Sequence, residues 1–148
     1  MKTTPACFRG RNLPLAMLMT ALITLAPAES WALSGWGSSY AGGVSRARSL
    51  SKPLLVVIAR KGCPACEALE RNLARNAGAL KSAVRVRVEA DHNPALTSRY
   101  ASAGTPTILV FTRENGYSQP IYSYTGVMGS SDLRRLGRSL DALAARKQ

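Results

Sequence analysis

Histidine occurs once in this chain, at His92, and cysteine three times, at Cys7, Cys63 and Cys66. So small a stock of sulfur and imidazole excludes the disulfide frameworks of small secreted domains, which need several bridges. It also leaves zinc short of the four ligands a structural site takes, because Cys63-Pro64-Ala65-Cys66 has no second pair to complement it. Haem attachment through C-x-x-C-H is excluded by Glu67, which stands where the histidine would be. Acidic residues are scarce as well, 8 against 20 Lys and Arg, for a formal charge of +12. The basic residues are dispersed and never run longer than two. The excess therefore reads as a solvated surface suited to acidic partners or membrane headgroups, and nucleic acid is not an expected partner. There is no fixed-period repeat and no low-complexity tract, which excludes solenoids and wholly disordered chains. With 46% hydrophobic residues in 148, one packed domain is expected.

An apolar run of membrane-spanning length is also lacking. The candidate, Leu13 to Ala28, has 16 residues, against about 20 for a span. Lys2, Arg9 and Arg11 precede it. Two small-residue sites, Ala26-Pro27-Ala28 and Ser30-Trp31-Ala32, follow. This is the layout of a secretory signal peptide. The expectation is export, to the periplasm of a bacterium, with cleavage after Ala28 or Ala32; an uncleaved leader would serve instead as a membrane anchor. Cys7 precedes the apolar run and leaves with it. The expected organisation is a leader at 1–32, a flexible Gly/Ser-rich lead at 33–43 and one domain at 44–148. Cys63 and Cys66 are then the only cysteines, and 17 basic against 7 acidic residues remain.

Along the domain, Val44 to Ser51 reads as a short helix. Leu54 to Ala59 is continuously apolar and β-branched, as in a strand buried on both faces. Lys61-Gly62 ends it. Pro64 suits the first turn of a helix, and from Ala65 to Leu80 the positions Cys66, Leu69, Leu73, Ala77 and Leu80 share one helical face. Val84, Val86 and Val88 alternate with Arg85, Arg87 and Glu89 in a second strand. Asp91-His92-Asn93-Pro94 is a turn and helix start, with a short helix from Ala95 to Ala103 ended by Gly104; His92 reads as a solvent-facing turn residue. Ile108 to Phe111 is a third strand. Asn115-Gly116 signals a hairpin, Ile121 to Tyr124 the returning strand, and Asp132 to Arg146 a last helix. Strands joined through helices imply parallel pairing, with the hairpin adding an antiparallel edge. The expected class is α/β, a central four-stranded mixed sheet flanked by helices in three layers.

The chemistry-bearing feature is the Cys63–Cys66 pair. A thiolate is the nucleophile in disulfide exchange, and an ordinary thiol is mostly protonated at neutral pH. Cys63 stands at the mouth of a helix, where unsatisfied N–H groups and the dipole favour negative charge. Arg60 and Lys61 adjoin it and, with Pro64, are expected to tune its pKa. Cys66 lies one turn further in, on the inward face. In this reading Cys63 attacks a substrate disulfide and Cys66 resolves the mixed disulfide. A static bridge is the alternative, though it would close a tiny loop and stabilise little.

These elements together resemble the thioredoxin superfamily over about residues 44–146. The resemblance rests on the apolar strand before Cys63-Pro64-Ala65-Cys66, on Asp91-His92-Asn93-Pro94 after the second strand, and on Gly104-Thr105-Pro106-Thr107 before the third. It implies a cis bond at Thr105-Pro106, a loop that faces the cysteines and pairs with substrate, and hence Thr105 and Pro106 as substrate-binding residues. It also implies thiol–disulfide exchange with protein substrates and no cofactor. The chain departs from thioredoxins in three places. Gly62 replaces their Trp, Pro64-Ala65 replaces Gly-Pro, and Val57 stands about where a buried acid would be. Pro64 is more like glutaredoxins and the periplasmic disulfide-forming and isomerising proteins, and Thr105 resembles the isomerases. An oxidoreductase of open direction is expected, a monomer, with reductant normally supplied by a membrane partner. A binding or chaperone module with a static Cys63–Cys66 bridge is the competing reading.

Overall fold

The computed structural model describes residues 33–146. The leader and its cleavage sites lie outside the described residues. The helices are α1 (Tyr40–Leu50), α2 (Pro64–Arg75), α3 (Pro94–Tyr100) and α4 (Ser130–Ala145). The strands are β1 (Leu54–Ala59), β2 (Val84–Glu89), β3 (Thr107–Phe111) and β4 (Tyr122–Thr125). Short 3-10 turns occupy Ala77–Leu80, Ala90–His92 and Arg113–Asn115. The strands form one mixed sheet in the order β2-β1-β3-β4.

The strand patterns follow from what covers each face. All six residues of β1 are fully buried, because it is central and both its faces are covered. Leu55, Val57 and Ala59 pack with Cys66, Leu69 and Leu73 of α2 and with Leu133, Leu136 and Leu140 of α4. Leu54, Val56 and Ile58 pack on the other side with Val84, Val86 and Val88, with Ala47 and Tyr40 of α1, and with Leu96 and Tyr100 of α3. Since the valines of β2 point to the α1/α3 side, alternation turns Arg85, Arg87 and Glu89 to the α2 side. The three expected layers are present.

Two local expectations are corrected and one is met. β3 runs antiparallel to β1, although only β1 and β2 are parallel. The connection between β2 and β3, through the seven-residue α3, stays at one end of the sheet. β3 therefore starts at the end where β2 finished. The hairpin that Asn115-Gly116 signals is present, with β3 and β4 paired antiparallel. Gly116, at φ 63°, ψ 21°, closes the 3-10 turn within a longer connection from Phe111 to Tyr122. The segment read as a flexible lead is partly structured. Gly37 bridges beside Val86 of β2, donating to the Arg85 carbonyl at 2.9 Å and accepting from the Arg87 N–H at 2.9 Å. Helix α1 starts at Tyr40 instead of Val44, capped by Ser39, whose hydroxyl accepts the Gly42 N–H at 3.2 Å.

Helix α4 comes so close to the Ala77–Leu80 turn that a methyl group at Gly137 would run into the Ala79 carbonyl, which is backbone and cannot step aside. Gly137→Ala is therefore expected to destabilise the protein by about 1–3 kcal/mol in urea unfolding, although alanine is the better helix former. Unchanged or higher stability would show that α4 is free to shift.

Candidate functional site

The site is built at the junction of β1 and α2. β1 ends at Ala59, and Arg60, Lys61 and Gly62 turn the chain outward. Gly62 has φ 70°, a left-handed conformation that glycine adopts without penalty. Cys63 is extended (φ −96°, ψ 112°) and is the N-cap of α2, with Pro64 in the first turn. An N-cap side chain normally offers oxygen to an unsatisfied N–H. Here the Cys63 sulfur accepts the Cys66 N–H at 3.2 Å.

Cys63 is half-buried and Cys66 buried, 1% exposed. The Cys66 sulfur accepts the Arg60 N–H at 3.5 Å. Across from α2 lies the loop that opens β3. Its Thr105–Pro106 bond is cis. The Cys63 thiol points at the Thr105 carbonyl at 3.9 Å, and the Thr105 hydroxyl reaches the Cys63 sulfur at 4.0 Å. Pro106 is buried, and its carbonyl accepts the Gly126 N–H at 2.8 Å, which ties the loop to the end of β4. Cys63, Cys66, Thr105 and Pro106 are thus brought together.

The two thiols are pushed in opposite directions. For Cys63, burial favours the neutral form, but hydrogen bonds from the Cys66 side chain and N–H and from the Thr105 hydroxyl outweigh it and lower the pKa. For Cys66, burial dominates and raises it, despite the Arg60 N–H. The charges of Arg60 and Lys61, expected to tune Cys63, are not among the causes. The Arg60 guanidinium pairs with Asp91 at 3.1 Å, both side chains being more than half exposed; such a pair adds little stability. Lys61 is exposed, and so is His92 in its turn.

Sequence reasoning missed a polar chain behind the site. Glu89, at the end of β2, accepts the Lys61 N–H at 2.7 Å and pairs with Arg87 at 2.7 Å. Arg87 also pairs with Glu70 of α2 at 2.9 Å. Burial pushes the Glu89 carboxyl up, but hydrogen bonds from Arg87 and Lys61 hold it below the usual carboxylate range. These residues line a cleft of about 710 Å³ with Trp36 and Cys66, on the flank of the pair and not over Cys63. The alternation of β2 put Arg87 and Glu89 on one face, but only the packing of α2 over that face joins them to Glu70.

A thioredoxin-like family model matches residues 35–112, more than half of the chain. The chain belongs to the thioredoxin-like family. Solved structures agree on the fold. A thioredoxin from Thermus thermophilus superposes with a TM-score of 0.61 at 17% identity, covering 74% of this chain and 89% of its own. A mutant thioredoxin from Halobacterium salinarum gives 0.57 at 18%, covering 76% and 92%. A disulphide isomerase from Xylella fastidiosa gives 0.54 at 18%, covering 68% and 87%. A search of curated proteins finds no match. In this thioredoxin-like protein Val57 is fully buried in the cluster that holds Cys66, so the strand before the pair carries no acid there.

The opposed shifts predict unequal thiols. In the reduced protein iodoacetamide should modify Cys63 below the ordinary thiol range and leave Cys66 unmodified until higher pH. Thr105→Val removes one hydrogen bond to the thiolate and should move the Cys63 midpoint upward. Because the Cys63 pKa is lowered on folding, its contribution to stability is present above the unfolded thiol pKa and lost as pH falls through the folded value. Equal alkylation profiles for the two thiols would contradict this assignment.

Proposed function

We propose that this protein is an exported thiol–disulfide oxidoreductase acting on protein substrates, with Cys63 as nucleophile, Cys66 as resolving thiol, and Thr105 and Pro106 as the loop that receives the substrate chain. One observation carries the reading. The sulfur of Cys63 caps a helix N-terminus, where the Cys66 N–H stabilises its thiolate, and it faces the Thr105–Pro106 loop. Export is supported by the basic, apolar and small-residue succession of residues 1–32.

In the reducing direction the Cys63 thiolate attacks one sulfur of a substrate disulfide. The substrate S–S bond breaks, a Cys63–substrate disulfide forms, and the other substrate sulfur leaves as a thiolate that takes a proton. Cys66 then loses its proton and attacks Cys63. The Cys63–Cys66 bond forms and the second substrate thiol is released. Two electrons pass to the substrate, and the oxidising direction is the same path reversed. The two sulfurs carry the electrons throughout. The burial of Cys66 keeps it protonated while Cys63 reacts, which orders the two steps.

Cys63→Ser should reduce turnover of a model disulfide such as that of insulin to background. Cys66→Ser should accumulate mixed disulfides with substrate, visible by mass spectrometry under non-reducing conditions. Full activity in Cys63→Ser would end the proposal. Equilibration of the pair with glutathione buffers reads the direction: about −270 mV marks a reductant, and about −180 to −120 mV an isomerase or oxidant. A bond that resists reduction far below about −300 mV would mark a static bridge and favour a binding module.

A further inference from the structure

The polar chain behind the pair has a member whose placement suggests a task. Glu89 is the last residue of β2, turned to the α2 side, and its side chain is 19% exposed. One carboxylate oxygen takes the Lys61 N–H at 2.7 Å and the other takes Arg87 at 2.7 Å. Arg87 is held in turn by Glu70, whose side chain is 16% exposed, at 2.9 Å. The carboxylate is thus held by Arg87, which Glu70 ties to α2, and in turn grips the loop. Arg60, at the start of that loop, is held by its own bonds to Cys66 and Asp91, and the stretch after it is less tied. Lys61 and Gly62 are exposed, Gly62 has φ 70°, and nothing lies within 4 Å of where its side chain would be. Among the described residues the Lys61 N–H has no other hydrogen-bond partner.

We propose that Glu89 is a positioning residue for Cys63: by holding the Lys61 N–H, it fixes the loop that sets the Cys63 sulfur against the N–H of Cys66. The inference rests on the reading of Cys63 as the nucleophile. A charge-assisted hydrogen bond to sulfur depends on distance and angle. One residue, Gly62, separates the anchor from the cap, so freedom at Lys61 passes through it to Cys63. The charged and titratable groups around Glu89 are Arg87 on β2, Glu70 on α2, Arg60 and Lys61 on the loop, and Asp91 and His92 on the following turn. Their charges alone would give the opposite effect. A carboxylate near a thiolate disfavours it, so deleting only the charge of Glu89 makes Cys63 more acidic. Deleting the anchor makes it less so.

Glu89→Ala and Glu89→Gln lose the same charge, but glutamine keeps an oxygen that can accept the Lys61 N–H. Two readouts on the reduced full chain separate them: amide hydrogen exchange at Lys61, and iodoacetamide modification of Cys63 against pH, followed by mass spectrometry. The expected result is protection of the Lys61 amide in the parent and the Gln variant and its loss in the Ala variant. Below the Cys63 midpoint, modification should be about threefold or more slower in Ala than in Gln. Equal rates in the two variants, or an unprotected Lys61 amide in the parent, would overturn the inference. If Glu89→Ala does not fold, Glu89→Asp keeps the charge but is one methylene short. It should slow modification relative to the parent, and an unchanged rate overturns the inference. Neither readout needs a turnover assay. A parent Cys63 that titrates like an ordinary thiol would sink the oxidoreductase reading along with this one. A low parent midpoint with indifferent variants would sink this one alone.

Discussion

A helix that begins at Pro64 leaves its first N–H groups without partners inside the helix, and the structure gives one of them, on Cys66, to the sulfur of Cys63. The rest of the site is arranged around that contact. A sulfur accepts such a bond better as a thiolate than as a thiol, so capping the helix and ionising the cysteine are one interaction seen from two sides. Everything upstream serves its geometry. β1 is buried throughout and gives a fixed starting point at Ala59. Gly62 supplies a left-handed turn, and Pro64 supplies a preset φ where no N–H is missed.

The two cysteines share this environment and are affected oppositely, because they stand on different sides of the first turn. Cys63 is at the mouth, where donors converge. Cys66 is one turn further in, among Leu69, Leu73 and Val57, where burial penalises charge. The asymmetry needs no charged neighbour, which is why Arg60 and Lys61 matter through their backbones more than through their side chains. It also bears on what Glu89 does. A carboxylate held below its usual range by Arg87 is a poor proton acceptor, so its place in the cleft beside Cys66 suits an anchor better than a base.

Much of this could be read from the sequence, and what could not has a common cause. The pair at a helix start, the inward face through Cys66, Leu69 and Leu73, and the alternation of Val84, Val86 and Val88 are local patterns with a period, and the structure has them. The misread features depend on what lies across from them. The Asn115-Gly116 hairpin is present, but the length of its connection, in which the buried Tyr117 reaches the carbonyls of Ala47 and Lys52 with its hydroxyl, has no local signature. Gly42 and Gly43 look like loop formers. They lie in α1, where the helix passes so close to Val86 that Gly43 has no room for a methyl group. The Glu89–Lys61 bond joins a side chain to a backbone 28 residues away, for which no sequence period exists.

The direction of β3 shows most clearly how a topological detail becomes chemistry. Parallel pairing with β1 would place the start of β3, and with it Thr105 and Pro106, at the far end of a strand of about 20 Å. Antiparallel pairing sets Thr107 beside Ile58 instead, so the residues just before β3 meet the residues just after β1. The connection through α3 stays at that end of the sheet instead of crossing back over it. The antiparallel register of β3 is therefore the reason that Cys63 faces the Thr105 carbonyl.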